Sequence, residues 1–305
     1  MAKFNLPDER NQNTMVWVNG LTPRREAKVS VLDSVVQGGD AVWEGLRIQS
    51  GRALQVDDHI SRLLDSAHAL AFANIPTRED IESAIFKTLE ANGMCDGVHA
   101  RITLTRGLKS TSGMDPRLNT HGCTLIVLPE YKGLVYGNQG IRLITSAIRR
   151  NSPSCLDSKI HHNNLLNNIL AKIDANVAGV DDALMLDLEG FVAETNATNV
   201  FAVRGATLLT PLATACLPGL TRKLVLELAT QVGLKIEERQ VSLTEFYTAN
   251  EVFTTGTMGG LAHVIEIDGR RIGSSDSMGP WTQKLQSSYQ EAILDSGRPL
   301  SHCSI

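Results

Sequence analysis

Residues 151–175, NSPSCLDSKIHHNNLLNNILAKIDA, decide how the chain is read. Just before them, residues 140–148 (GIRLITSAI) alternate: Ile141, Leu143 and Thr145 share one face, and Arg142, Ile144 and Ser146 share the other, as in a strand. After the polar centre, Leu165, Leu166, Ile169, Leu170 and Ile173 recur at helical spacing. Between strand and helix stands one lysine, Lys159. An amine at such a junction can turn into a cleft, where loss of water lowers its pKa and lets it form a Schiff base with a carbonyl cofactor. Taken alone, the same residue reads as solvated surface, the usual place of a lysine.

Size and composition narrow the possibilities. The 305 residues suffice for one large domain or two ordinary ones, and 42% hydrophobic with 20% charged residues is ordinary for a globular protein. A formal net charge of -4 offers no basic excess for phosphate backbones or anionic membranes. No apolar run reaches the roughly 18 residues of a membrane helix, and MAKFNLPDERNQ at the start lacks the apolar core of a signal peptide. Cys95, Cys123, Cys155, Cys216 and Cys303 are odd in number, scattered and never in a CxxC pair. That pattern predicts neither structural disulfides nor a zinc site, and a reducing cytoplasm.

Along the first half, residues 15–20 (MVWVNG) and 27–32 (AKVSVL) read as short strands, and residues 41–48 (AVWEGLRI) as a longer one. Trp43 in the last is core packing or a pocket wall. Asp57 or Asp58 can cap a helix with Ile60, Leu63, Leu64, Ala67 and Leu70 on its apolar face, and Arg62 beside that face. Thr77, followed by Glu79 and Asp80, starts a second helix that stops at Gly93. Residues 98–105 (VHARITLT) alternate, with Arg101 on the polar face: a carboxylate receptor or a solvated sheet face. Residues 106–121 form a polar loop, residues 123–128 a buried strand, and residues 129–139 a linker.

In the second half, residues 183–188, a turn at Glu189-Gly190 and residues 191–194 predict a hairpin ending on Glu194. A carboxylate following apolar residues needs a cationic partner, and a protonated heterocyclic nitrogen is one. Thr221 lies in the first turn of a helix after Pro218-Gly219, where backbone N–H groups favour a phosphate. The turn Thr255-Gly256-Thr257-Met258-Gly259-Gly260 is rich in hydroxyls and N–H donors of the same use. A last helix carries Trp281, Leu285 and Tyr289, and the tail after Gly297 reads as loose.

In their order, Trp43-Glu44-Gly45-Leu46-Arg47, His59-Ile60-Ser61-Arg62-Leu63, Lys159, Glu189-Gly190-Phe191-Val192-Ala193-Glu194, Pro218-Gly219-Leu220-Thr221-Arg222 and Phe253-Thr254-Thr255-Gly256-Thr257-Met258 resemble the motifs of the class IV pyridoxal-phosphate aminotransferases. The resemblance covers about residues 15 to 290 and looks most like the branched-chain branch. It implies a two-domain α/β (α+β) fold of type IV. A smaller N-terminal α+β domain (1–128) and the linker (129–139) would precede a larger, pseudo-barrel C-terminal domain (140–305), with pyridoxal 5'-phosphate in the cleft between the domains. Lys159 would hold the cofactor as a Schiff base and shuttle the proton, and Glu194 would pair with its ring nitrogen. Arg62, Leu220 through its backbone, Thr221 and Thr257 would hold the phosphate. Trp43, Arg101, Thr257 and Met258 would face the substrate, and no metal is implied.

Two features depart from the family pattern. Asn164 or Leu165 stands where the family has a tyrosine on the cofactor's phenolic oxygen, a hydrogen bond Asn164 could replace. The pair His161-His162 looks inserted, and reads as local packing or solvent exposure rather than a metal site. The implied reaction is a ping-pong transfer between a branched-chain L-amino acid and a 2-oxo acid in a cytoplasmic homodimer. D-amino acid and R-selective amine transamination are alternatives, and Arg106-Gly107-Leu108-Lys109 resembles the R-amine enzymes. A lyase of the aminodeoxychorismate type is the alternative of another class.

Overall fold

The computed structural model describes residues 8–136 and 139–303. Residues 1–7, part of the stretch read for a leader, and Gly137 and Asn138 of the linker lie outside the described residues. The described residues divide into two compact units, one of residues 8–133, 160–164 and 293–303, the other of residues 134–136, 139–159 and 165–292.

The first unit is built on a seven-stranded antiparallel sheet. Its strands are β1 (Met15–Val18), β2 (Leu21–Pro23), β3 (Ala41–Gln49), β4 (Arg52–Ala53), β5 (Val98–Thr105), β6 (Thr124–Tyr131) and the late strand Arg298–Pro299. The late strand forms one edge, followed by β4, β3, β5, β6, β1 and β2. The alternation of β5 is realised: Val98, Ala100, Ile102 and Leu104 are all buried and join Leu46, Ile48, Ile60, Leu63, Ile81 and Ile85 in one core. Two helices cover that face, α2 (Val56–Ala69) and α3 (Arg78–Ala91), after a one-turn α1 (Ser34–Gly38). Thr77 caps α3 as expected, in a reciprocal capping box with Asp80. At α2 the expected Asp57 or Asp58 cap is replaced by Gln55, whose backbone is left-handed (φ 49) and whose side chain makes no capping bond.

Three further expectations fail in this unit. Residues 27–32 are not a strand but an open segment and turn; the Asp33 N–H donates to the Ser30 carbonyl, and Val31 is exposed. The tail is not loose: Arg298–Pro299 pairs with Arg52–Ala53, and Arg298 forms ion pairs with Asp57 and Glu82. Cys95 and Cys303 form a disulfide across 208 residues, with Cα atoms 5.8 Å apart. Cysteine spacing could not reveal it, because only tertiary folding brings two such distant positions together.

The second unit carries a nine-stranded mixed sheet. Its strands are β7 (Ile141–Thr145), β8 (Asp182–Leu186), β9 (Val192–Thr195), β10 (Asn199–Arg204), β11 (Thr207–Pro211), β12 (Lys235–Arg239), β13 (Glu251–Gly256), β14 (Gly260–Ile267) and β15 (Arg270–Arg271). The order is β12-β11-β10-β13-β14-β7-β8-β9, with β15 added on β14. Pairing is parallel for β11–β12, β14–β7 and β7–β8, and the predicted hairpin is β8–β9. The helices are α4 (Leu166–Ala178), α5 (Leu220–Gln231), α6 (Leu243–Tyr247) and α7 (Pro280–Asp295).

Helix α4 has the predicted period but presents its large apolar residues outward. Leu166, Ile169, Leu170, Ile173 and Val177 are 71%, 52%, 48%, 49% and 84% exposed, while Ala171 and Ala175 pack inward against Ala183 and Met185. Among the described residues, no helix is long and apolar enough to cross a membrane.

Candidate active site

Lys159, Glu194, Leu220, Thr221, Thr257 and Met258 belong to the second unit, and Trp43, Arg62, Arg101 and Asn164 to the first. In the second unit, Glu194 sits on β9 with both oxygens engaged. Arg150 places Nε 2.9 Å from Oε1, and Asn199 Nδ2 donates to Oε2 at 3.3 Å. The same guanidinium donates through Nη1 to Asn168 Oδ1 at 2.8 Å and through Nη2 to Ser158 Oγ at 3.1 Å. Arg150 thus joins the carboxylate to the residue preceding Lys159.

Burial pushes the Glu194 carboxyl up to about 7, against the pull of Arg150 and of a bond from the Leu217 N–H. The buried Cys216 thiol is pushed up to about 12, by burial first and then by Glu194, against Arg222, Arg150 and Lys159. Lys159 and Glu194 therefore act on one thiol and share an electrostatic neighbourhood. The Lys159 side chain is exposed to solvent rather than sunk among apolar groups. Its backbone N–H donates to Asp157 Oδ1 at 2.9 Å.

Asn199 also donates to the Leu217 carbonyl at 2.8 Å, and this brings the start of α5 beside β10. A Cβ on Gly219 would fall 2.2 Å from Asn199 Oδ1, so only glycine allows that approach. Gly219 is the N-cap of α5 and gives no side-chain capping bond; the first-turn N–H groups keep their affinity for an anion. The Thr221 hydroxyl in that turn is buried without a hydrogen-bond partner, as are the hydroxyls of Thr254 and Thr255 on β13. Asn199 pairs in register with Thr255, and Thr257 and Met258 follow in the β13–β14 turn. The unpartnered Thr221 hydroxyl at an uncapped helix start suits an oxyanion.

In the first unit, the Glu44 carboxylate on β3 is buried and takes four hydrogen bonds. Arg62 donates to both oxygens, Nε to Oε1 and Nη2 to Oε2, each at 2.7 Å. His59 Nδ1 lies 2.7 Å from Oε2 and His161 Nδ1 3.0 Å from Oε1. Burial works to raise the Glu44 pKa, but His161, Arg62 and His59 together hold it well below the usual carboxylate range. Burial pushes His161 down, against the pull of Glu44.

The chain after Lys159 is stitched to the same strand. The Trp43 N–H donates to the His161 carbonyl at 2.9 Å and its Nε1 to the His162 carbonyl at 3.2 Å. The Trp43 ring lies 4.2 Å from that of His161 and under the Arg101 guanidinium at 3.8 Å. Arg101 Nη2 donates to Asn163 Oδ1 at 3.0 Å, and Asn164 Nδ2 donates to the Gly39 carbonyl at 3.1 Å. The inserted histidine pair is thus packing, as expected.

Sequence reading quoted Asn199, Glu44 and His59 only as motif residues and assigned no role to them, to Arg150 or to His161 within a Glu44 cluster. A buried glutamate midway along the longest strand, with its arginine on the next helix, left no periodic signal. Arg150 had one: a predicted buried carboxylate demands a cation, and the adjacent pair Arg149-Arg150 follows the strand that precedes Lys159.

Comparison with known proteins identifies this arrangement. Residues 41–267 match the family model for class IV amino-transferases, and the chain belongs to that family. It is 58% identical over 297 residues to branched-chain-amino-acid aminotransferase-like protein 2 of Arabidopsis thaliana, covering 97% of this chain and 53% of that protein. The chain therefore spans about half the length of that relative. A branched-chain-amino-acid aminotransferase of Pseudomonas aeruginosa is 32% identical over 302 residues, with 96% of each chain covered. Among solved structures, a branched-chain aminotransferase from the thermophilic archaeon Thermoproteus uzoniensis, with norvaline, superposes with a TM-score of 0.84. It shares 30% identity over 93% of this chain and 96% of that one.

Proposed function

We propose that the chain is a pyridoxal-5'-phosphate-dependent aminotransferase, moving an amino group between an amino acid, foremost a branched-chain L-amino acid, and a 2-oxo acid in two half-reactions. The observation that carries this is the joining of Glu194, through Arg150, to Ser158, the residue before Lys159, together with the unpartnered Thr221 hydroxyl at an uncapped helix start. These residues fit the cofactor: an orphaned buried threonine at an uncapped helix start suits a phosphate, and a buried carboxylate suits a ring nitrogen cation. When bound, the cofactor supplies the electron sink that lets a substrate Cα lose its proton.

The chain's own residues do the rest. Lys159 Nζ is the amine that holds the cofactor's aldehyde carbon and carries the Cα proton. Arg150 and Asn199 fix the Glu194 carboxylate, which keeps a proton on the ring nitrogen. The Leu220 N–H, Thr221 and Thr257 hold the phosphate, with Arg62 as a further ligand oriented by Glu44. Trp43, Arg101, Thr257 and the Met258 backbone contact the substrate, and Asn164 takes the place of the family's tyrosine.

A homodimer is part of this reading, supported by the outward apolar stripe on α4. A cytoplasmic location is part of it as well.

The test is an amino-donor screen with L-, D- and achiral amines against 2-oxoglutarate and pyruvate, with borohydride trapping. Expected are preference for L-leucine over D-alanine, need of a 2-oxo acid acceptor, and a cofactor fixed to Lys159. Preference for D-alanine would overturn the substrate choice. Turnover without any acceptor would replace transfer by a lyase reaction. Lys159→Ala as fast as the parent would end the proposal.

A further inference from the structure

The disulfide of the first unit has a third group beside it. Cys95 lies between α3 and β5, and Cys303 just past the strand Arg298–Pro299. A ring nitrogen of His302 and both sulfurs all lie within 4.8 Å of one another. His302 Nε2 donates to the Met94 carbonyl at 3.2 Å; the carbonyl can only accept, so Nε2 holds the proton and Nδ1 carries the lone pair.

The backbone holds both segments in place. Gly51 donates its N–H to the Cys95 carbonyl at 2.8 Å and accepts from the Leu300 N–H at 2.8 Å, and the Cys303 N–H donates to the Leu300 carbonyl at 3.1 Å. One residue of the β3–β4 turn therefore clamps together the two segments that carry the cysteines.

A structural disulfide has no use for an imidazole. Two sulfurs and a nearby imidazole are a donor set that suits a soft divalent cation. Ligand atoms around one tetrahedral zinc stand about 3.3 to 3.8 Å apart. The observed spread needs only a rotation of the cysteine side chains once their bond is open.

We propose that Cys95, His302 and Cys303 form a redox-controlled site for a thiophilic divalent cation, zinc foremost. A dithiol reductant breaks the sulfur–sulfur bond, giving its two electrons and two protons to the sulfurs as it becomes a disulfide itself. The cation then takes the two sulfurs and a ring nitrogen of His302, each thiol losing its proton to solvent, with water completing the shell. Disulfide and metal exclude each other, since a bonded sulfur has no thiolate to offer. In a reducing compartment the cation, rather than the covalent bond, fastens the tail to the sheet.

The experiment uses the purified full chain loaded with pyridoxal phosphate, half of it reduced with dithiothreitol and freed of the reductant without air. Cobalt(II) chloride is the probe, followed by zinc chloride. The reduced chain is expected to bind one cobalt per chain with thiolate-to-metal charge-transfer absorption that zinc abolishes; the oxidised chain is expected to show none. Cys95→Ser and Cys303→Ser lose the absorption, His302→Ala weakens binding about tenfold or more, and Cys155→Ser, at an exposed free cysteine, keeps it. The site is overturned if the reduced chain gives no charge-transfer band, if the oxidised chain gives the same band, or if the band survives Cys95→Ser or Cys303→Ser. The comparison of oxidised with reduced parent needs no substitution, so misfolding of a variant cannot mask the answer.

Discussion

Arg150 sets its Nε 2.9 Å from Oε1 of Glu194, with both side chains buried. A buried pair of this kind is costly to break from one side, because the remaining charge keeps neither water nor partner. Arg150→Met is expected to cost about 3 kcal/mol, read by urea denaturation at pH 8. The double variant Arg150→Met, Glu194→Gln should recover part of that loss. Additive losses in the two single variants would mean the pair is not coupled.

The raised pKa of Glu194 gives stability a pH dependence of known sign. The folded chain keeps the proton up to about 7, whereas the unfolded chain releases it near 4.5. Between these values the unfolded state binds fewer protons, so stability falls as pH rises. Relative to Glu194→Gln, the cofactor-free parent should lose about 3 kcal/mol between those limits and stay level above them. Parent stability that rises with pH relative to Glu194→Gln would contradict the burial of this carboxyl.

At Thr221 stability and binding should move in opposite directions. Its hydroxyl is buried and unpartnered, so Thr221→Val removes an unmet polar group and should leave the melting temperature unchanged or raise stability by about 1 kcal/mol. If the hydroxyl holds the phosphate, the same change should weaken pyridoxal phosphate binding on the order of 10- to 100-fold, measured by spectroscopic titration. Unchanged affinity would remove Thr221 from the phosphate site.

The apolar stripe on α4 predicts the assembly. Ile169→Glu and Ile173→Glu place charge on a face that carries five exposed large apolar residues. Light scattering after gel filtration should show the parent as a dimer and the double variant as a monomer of unchanged helix content. Two dimers would place the interface elsewhere.

His161 is expected to matter for folding through one hydrogen bond to Glu44. His161→Ala should cost about 1 to 3 kcal/mol by leaving the buried carboxylate short of a donor, and His161→Gln should restore most of it. Thermal unfolding at pH 8 distinguishes the two.

Much of this fold was legible in residues that make their own local case. The alternation of β5, the Thr77 capping box and the β8–β9 hairpin depend on neighbours in sequence, and each formed as read. Residues 27–32 alternate too, but Val31 finds no strand to pair with, and a period says nothing about partners. For the same reason α4 was recognised as a helix while its outward face was not. Lys159 and Glu194 stand out in the sequence because each lies at a break between patterns. Arg150, Asn199 and the Glu44 cluster were not, since what links them is proximity between residues up to 117 positions apart.

The strand Arg298–Pro299 closes a sheet whose first strand begins at Met15. During synthesis the edge of β4 must wait, unpaired, until Arg298 and Pro299 have left the ribosome. An exposed edge invites wrong pairing with other nascent chains, and β4 blunts that invitation by being two residues long and carrying Arg52. Slow translation over the intervening residues would lengthen the exposure, and the yield of folded protein should depend on how quickly residues 298–303 emerge.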